Sequence, residues 1–125
     1  MILDTNALSA FLQDSPELLH VLESQWELHL PVVVLGEYRF GLIGSRIRHQ
    51  AEARLDDLES VCSVLGVDSG TARLYAEIRH ELKTKGHPIP ENDIWIAAIA
   101  RQHRLPVVTR DEHFDHVRGL RRISW

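Results

Sequence analysis

The sequence predicts one α/β domain over residues 1–125, in which helices cover both faces of a mostly parallel central sheet. Short apolar segments alternate with helical patterns along the whole chain, and this alternation is typical of parallel sheets. No Asn-Gly pair marks a tight hairpin between neighbouring strands. The 125 residues, of which 44% are hydrophobic and 26% charged, are sufficient for one globular core.

The first part of the chain is predicted to form four elements: a strand at 1–3, helices at 7–12 and 16–22, and a strand at 27–30. Pro31 follows in an apolar run, and a proline cannot lie inside a central strand. We therefore expect Pro31 to open a loop and a helix that ends at about Gly44. One face of this helix is predicted to point inward, and it carries Val33, Val34, Glu37, Phe40 and Gly41.

The second part continues the alternation of helices and strands. We expect a helix at 46–59, a strand at 61–67, helices at 69–85 and 92–103, a strand at 106–109, a turn or short helix at 111–117, and a last strand at 121–125. Asp68 or Ser69 is suited to cap the helix that ends at Lys85. Ile47 is expected to face inward from the helix at 46–59.

The charge and the apolar pattern limit the classes of function. The formal net charge is −4, but residues 1–70 hold 4 basic and 11 acidic residues, whereas 71–125 hold 10 basic and 7 acidic. A polyanion could therefore still meet a basic surface. The apolar stretch 94–100 is too short to cross a bilayer, and Cys62 is the only cysteine. These features predict a soluble, cytoplasmic chain without an intrachain disulfide.

Four carboxylates stand at positions where the predicted sheet would bind a ligand. Asp4 and Asp111 follow two strands and Asp93 begins a helix, all at the carboxyl edge of the sheet. Glu37 lies on a predicted inward helical face. Ordinary roles remain open for each: helix caps for Asp4 and Asp111, a first-turn acid behind an Asn92 cap for Asp93, and a buried ion pair with an arginine for Glu37.

Together the four acids indicate a cation site. Like charges that converge at one edge repel one another and raise their own pKa values. A hard divalent cation such as Mg²⁺ or Mn²⁺ removes that conflict, because it prefers carboxylate oxygens and retained water. Such an ion would also allow an acidic protein to accept a phosphodiester and would activate a water for its hydrolysis.

Four segments of the chain resemble one known family in order and spacing. They are MILDTNALSAFL at 1–12, LPVVVLGEYRFGL at 30–42, IPENDIWIAAIA at 89–100 and LPVVTRDEHFDHVRGLRRISW at 105–125. On these motifs the sequence resembles the PIN-domain ribonucleases, and in particular the VapC toxins of type II toxin–antitoxin pairs. The resemblance covers nearly the whole chain.

The resemblance implies an α/β/α sandwich whose acids form one Mg²⁺- or Mn²⁺-dependent catalytic site. The catalytic and metal-binding positions of the family correspond to Asp4, Glu37, Asp93 and Asp111. Polar positions that orient these acids or their waters in the family correspond to Thr5, Asn6, Asn92 and Thr109. Asp115 matches an additional acid of some members. His113 stands where many relatives have Asp or Asn, and this difference removes a possible carboxylate ligand of a second metal.

The implied activity is endonucleolytic hydrolysis of RNA by a metal-activated water, leaving a 5′-phosphate and a 3′-hydroxyl. The resemblance implies that Asp4, Asp93 and Asp111 hold the principal ion, and that Glu37 completes the site or helps to bind a second ion. The implied partners are a VapB-type antitoxin, whose C-terminal segment often brings a basic side chain to the acidic pocket, and a second copy of the chain in a homodimer.

Two other classes of function are compatible with parts of the sequence. The chain could be a catalytically inactive PIN-like module that only binds a partner, although its four acids are intact. A phosphatase or phosphotransfer domain with Asp4 as nucleophile is less well supported, because Asn6 stands where such enzymes place a second Asp and 105–125 contains no Lys. The eight histidines lack the spacing of a zinc site, and His113 and His116 are expected at the polar surface.

Overall fold

The chain is described here from a computed structural model that covers residues 1–24 and 27–125. The strands are Ile2–Leu3 (β1), His29–Pro31 (β2), Ser63–Leu65 (β3), Val107–Val108 (β4) and Arg122–Ile123 (β5). The helices are Thr5–Leu12 (α1), Pro16–Leu22 (α2), Val32–Leu42 (α3), Arg48–Val61 (α4), Ser69–Lys85 (α5) and Glu91–His103 (α6). A 3₁₀ helix, Glu112–His116, lies between β4 and β5.

The five strands form one parallel sheet in the order β3-β2-β1-β4-β5. Parallel strands joined by right-handed crossovers place α1 to α4 on one face of this sheet and α5 and α6 on the other. α5 and α6 pack along each other, and α1 contacts α2 and α3. The predicted α/β/α architecture with a mostly parallel sheet is thus confirmed.

The central strands form the core because both of their faces are covered. Ile2, Leu3, Val107 and Val108 have no exposed surface, as expected for parallel strands between two helical layers. The register pairs Ile2 with Val107 and Leu3 with Val108. The residues that follow these pairs therefore emerge side by side at the carboxyl edge of the sheet.

This edge contains the topological switch point of the fold. From β1 the chain proceeds to β2 and β3 on one side, whereas β4 pairs with β1 on the other side. The loops after β1 and β4 consequently diverge and leave a crevice between them. Parallel α/β sheets bind their ligands in such a crevice.

The boundaries of two predicted elements are wrong. Pro31 does not open a loop: it is the last residue of β2, pairs in register with Leu65, and is followed directly by α3. A proline is compatible with this position because it ends the strand and already has the backbone angles of a helix N-cap. The sequence predicts Val61 in the third strand, but Val61 is the last residue of α4.

Two side chains that were expected inside are exposed. Phe40 on α3 is 77% exposed and Ile47 is 61% exposed, although Val34 on the same predicted face is buried. Of the two predicted helix caps, one is found and one is not. Asp68 caps α5 through a capping box with Thr71, whereas α6 begins after Pro90 and not at an Asn92 cap.

The described residues contain no helix that combines the length and the apolar character required to cross a membrane.

Candidate functional site

Asp4 occupies the crevice because it directly follows the buried strand β1. Its backbone N–H donates to the carbonyl of Val108 at 3.2 Å, so the strand pairing with β4 fixes its position. The carboxylate caps α1, with Oδ1 accepting the N–H of Thr5 at 2.7 Å. Asp4 is only 4% exposed, and burial raises its pKa above the ordinary value despite these hydrogen bonds.

Thr109 connects Asp4 to the acid that follows β4. Its hydroxyl donates to Oδ2 of Asp4 at 2.8 Å and accepts the backbone N–H of Asp111 at 2.9 Å. The amide of Asn6 donates to Oδ2 of Asp4 and to the Thr109 hydroxyl, each at 3.1 Å. The backbone N–H of Arg110 donates to Oδ1 of Asn6 at 3.3 Å, which is consistent with this amide orientation.

Glu37 reaches the site from α3, and one hydrogen bond holds its carboxylate within residues 1–24 and 27–125. The Thr5 hydroxyl donates to its Oε2. Arg39, the arginine nearest to it in sequence, is paired instead with Asp56 at 2.8 Å and Glu59 at 2.9 Å. Within residues 1–24 and 27–125 no basic side chain pairs with Glu37, so the ion pair considered from the sequence is not found there.

Asp93 and Asp111 complete the set of four acids, which we call the acidic cluster (Asp4, Glu37, Asp93 and Asp111). Asp93 lies in the first turn of α6, and its side chain is 13% exposed. Burial, together with the charges of Asp4, Asp111 and Glu37, raises the pKa of Asp93 to about 6. Asp111 caps the 3₁₀ helix.

His113 lies at the partly exposed surface that the sequence predicts, but its ring also faces the acidic cluster. Its ring Nδ1 is 3.0 Å from Oδ1 of Asp111 and 3.6 Å from Oδ2 of Asp93, although half of the side chain is exposed. The backbone N–H of His113 donates to Oδ1 of Asp111 at 2.9 Å. This return of a cap side chain to the N–H two residues later is a common local motif, and it is the sequence signal that could have placed His113 here.

Two residues of the predicted supporting shell form no hydrogen bond with the acidic cluster in the described residues. Asn92 is exposed, and no hydrogen bond joins it to the four acids in the described structure. Asp115 forms a bidentate pair with Arg122, at 2.7 Å to Nε and 2.9 Å to Nη2. Thr5, Asn6 and Thr109 are the members of that shell that contact the acids.

The acidic cluster lies in an open groove of about 530 Å³. Its other lining residues are Thr5, Asn6, Ser9, Gln13, Tyr38, Gly41, Leu42 and Ile47. The exposed side chain of Ile47 forms part of the groove wall. A groove of this size accommodates hydrated ions together with part of a polymer backbone.

The chemistry of the donor set fits a divalent cation. Oxygens of Asp93 and Asp111 and a nitrogen of His113 all lie within 4.8 Å of one another. Repulsion among the carboxylates already raises the pKa of Asp93, so a bound cation would relieve an existing electrostatic strain. The oxygen-rich set suits a hard ion that keeps part of its water.

A family model described as the PIN domain matches residues 1–120. Ribonuclease VapC5 of Mycobacterium tuberculosis is 39% identical over 90 residues, which are 70% of this chain and 67% of the relative. The tRNA(fMet)-specific endonuclease VapC of Shigella flexneri is 31% identical over 103 residues, which are 82% of this chain and 78% of the relative.

The fold is also shared with solved structures. VapBC2 from Rickettsia felis, solved bound to a DNA fragment from its promoter, contains a chain that superposes with a TM-score of 0.88 at 26% identity. The match covers 99% of this chain and 97% of that chain. The resemblance inferred from the four sequence segments is therefore confirmed: this chain belongs to the PIN domain family, among the VapC ribonucleases.

Proposed function

We propose that this chain is the toxin of a VapBC-type toxin–antitoxin pair and acts as a metal-dependent endoribonuclease. One observation carries the proposal: four carboxylates from separate elements converge in an open groove, and none of the described arginines or lysines neutralises them. Such an arrangement is destabilising unless a cation binds. The VapC ribonucleases among its relatives support RNA as the polymer that the groove receives.

Asp4, Asp93 and Asp111 are proposed to hold the principal ion, and Glu37 to complete the site or to share a second ion. Mg²⁺ and Mn²⁺ are the proposed ions, because carboxylate oxygens dominate the donor set. When bound, the ion supplies activation of a water and neutralisation of the charge that develops on the phosphate.

The chain itself orients the acids. The Thr109 hydroxyl fixes Asp4 relative to the backbone of Asp111, and the Thr5 hydroxyl fixes Glu37. With the acids preorganised in this way, little rearrangement is required when the phosphodiester arrives. Attack by water opposite the bridging oxygen breaks the P–O3′ bond and leaves a 5′-phosphate and a 3′-hydroxyl.

The proposed partners follow from the relatives. VapC-type chains have been solved as VapBC assemblies, and this supports a cognate antitoxin for this chain. We propose that a basic side chain of the antitoxin enters the acidic cluster, where it would replace the ion electrostatically. A homodimer and action on RNA in the cytoplasm belong to the same proposal.

The proposal is tested with purified chain freed of antitoxin. End-labelled RNA, including transfer RNA, is incubated with Mg²⁺ or Mn²⁺ and the product ends are sequenced. We expect internal cleavage that EDTA abolishes and that Asp4→Asn lacks. If the chain neither binds a divalent cation in calorimetry nor cleaves RNA, the inactive binding module is the better interpretation. Hydrolysis of p-nitrophenyl phosphate without RNA cleavage would favour the phosphatase.

A further inference from the structure

Among the described residues, His113 is the one side chain beside the acidic cluster whose nitrogen could coordinate a metal ion. Its Nδ1 faces both oxygens of Asp111, at 3.0 Å and 3.2 Å, and lies 3.6 Å from Oδ2 of Asp93. The two carboxylates that it faces are proposed ligands of the principal ion. The ring therefore lies where an ion bound between these acids would find its next donor.

The backbone orients Asp111 without help from the ring. The N–H of His113 donates to Oδ1 of Asp111 at 2.9 Å, and the N–H of Asp111 is held by Thr109. The imidazole is thus not needed to position the carboxylate. Because half of the His113 side chain is exposed, small rotations of the ring are open to it when an ion enters.

The spacing is compatible with shared coordination. Neighbouring ligands of an octahedral ion lie about 3 Å apart when each is about 2.1 Å from the metal. The distance from Nδ1 of His113 to Asp111 already has this value, and the distance to Asp93 is slightly larger. A hydrogen bond from an imidazole N–H to a carboxylate oxygen has a similar N···O distance. An experiment therefore distinguishes this hydrogen bond from coordination of one ion by both groups.

We propose that His113 is a nitrogen ligand of the metal and biases the site toward Mn²⁺ over Mg²⁺; this inference rests on the proposed function. Carboxylates alone suit Mg²⁺ and Mn²⁺, whereas imidazole is a ligand of transition metals and is rarely accepted by Mg²⁺. A site of four carboxylates and one imidazole therefore keeps its affinity for hard ions and gains selectivity for the transition metal.

The test uses the full-length apo protein and two direct measurements of the metal. Calorimetry gives the dissociation constants for Mn²⁺ and Mg²⁺, and pulsed electron paramagnetic resonance of bound Mn²⁺ detects directly coordinated imidazole nitrogen. The variants are His113→Asn, His113→Asp and the control His116→Asn. His116 is an exposed histidine of the same 3₁₀ helix and stacks on His87 instead of facing the acids.

We expect the wild-type protein and His116→Asn to show the nitrogen signal and the same preference for Mn²⁺. His113→Asn should lose the signal and reduce the ratio of Mn²⁺ to Mg²⁺ affinity by about tenfold, since removing a partner of a metal site typically costs at least that much affinity. His113→Asp should bind Mg²⁺ more tightly than His113→Asn does. Circular dichroism checks that each variant is folded.

Two results would overturn different parts of the argument. If wild-type protein binds Mn²⁺ without a nitrogen signal, or if His113→Asn leaves both the signal and the affinity ratio unchanged, His113 is not a ligand and the proposed function stands. If wild-type protein binds neither ion, the proposed function fails as well, and His113 then serves as a hydrogen-bonding partner of the acids.

Discussion

Asp93 in the acidic cluster and Asp115 on the 3₁₀ helix are acids in opposite electrostatic situations. Burial and three neighbouring carboxylates raise the pKa of Asp93 to about 6. Arg122 binds both oxygens of Asp115 and lowers the pKa of that carboxyl. The difference indicates that Asp115 is neutralised by an arginine within the fold, whereas no arginine or lysine of the described residues pairs with Asp93.

Two acids of the same short segment also face different parts of the fold. Asp111 and Asp115 are four residues apart, one at the cap of the 3₁₀ helix and the other near its end. Asp111 is turned toward the crevice at the switch point, and Asp115 is turned toward the edge strand β5. Position relative to the sheet, and not residue type, therefore determines which acid is available to a metal.

The largest expected effect is on activity. Asp93→Asn should reduce RNA cleavage by at least about 10³-fold, equivalent to about 4 kcal/mol of transition-state stabilisation. The amide retains the shape of the side chain but is a poor ligand for a hard cation. Asp115→Asn should retain activity within about threefold. Initial rates of cleavage of a labelled RNA measure both effects, and full activity of Asp93→Asn would contradict the assignment of the site.

The next effect is stabilisation by the ion. Mn²⁺ at about 100 times its dissociation constant should stabilise the wild-type chain by about 2.7 kcal/mol. For a chain of this length that corresponds to a rise in Tm of about 10 °C. Asp115→Asn should show the same rise, and Asp93→Asn much less of it. Differential scanning calorimetry with EDTA-treated protein provides the baseline. Equal shifts in the two variants would mean that Asp93 does not contact the ion.

A smaller effect concerns the apo protein and pH. Folding raises the pKa of Asp93 above its unfolded value, so the folded state binds the proton more tightly. The stability that the protonated Asp93 carboxyl contributes to the folded state is therefore fully present below pH of about 4, and it is lost as the pH rises through about 6. At pH 7.5, Asp93→Asn should be more stable than wild type by about 1 kcal/mol, after allowance for solvent screening.

Urea denaturation in EDTA across this pH range measures the difference. The gain of Asp93→Asn over wild type should shrink as pH is lowered toward 4, because the wild-type carboxyl is then protonated. A gain that is independent of pH would show that repulsion within the acidic cluster does not cause it.

The smallest effect is expected for the paired acid. Asp115→Asn should lower stability by about 0.5 kcal/mol, the usual magnitude for an exposed ion pair. The sign of its pH dependence is opposite to that of Asp93. Since the folded pKa of Asp115 is depressed, its contribution is present above pH of about 4 and is lost as the pH falls further. Urea denaturation of the wild type and the variant at pH 3 and pH 7 tests this pH dependence. If Asp115→Asn lowered the free energy of unfolding equally at both pH values, the ion pair would not be the source of the loss.

Much of the site could be predicted because, in a parallel sheet, the residues that follow neighbouring strands lie close together. Asp4 and Asp111 follow neighbouring parallel strands, and strands in register bring the residues after them together. Thr109, which the family resemblance implies as a supporting residue, also follows β4 and emerges beside Asp4. Helical periodicity was a less reliable guide. It predicts that Phe40 points inward, but Phe40 is exposed.

The sequence by itself determined the α/β class, the family and the positions of the four acids along the chain, since alternation of elements and strand-end acids are local patterns. Only the tertiary structure decided that His113 faces the acids, that Asp115 is paired with Arg122, and that Asn92 lies outside the network. The physical reason is that these contacts depend on how a short 3₁₀ helix and the first turn of α6 rotate against the sheet. That rotation is set by long-range packing, such as the burial of Phe114 in the core, and not by the spacing of residues.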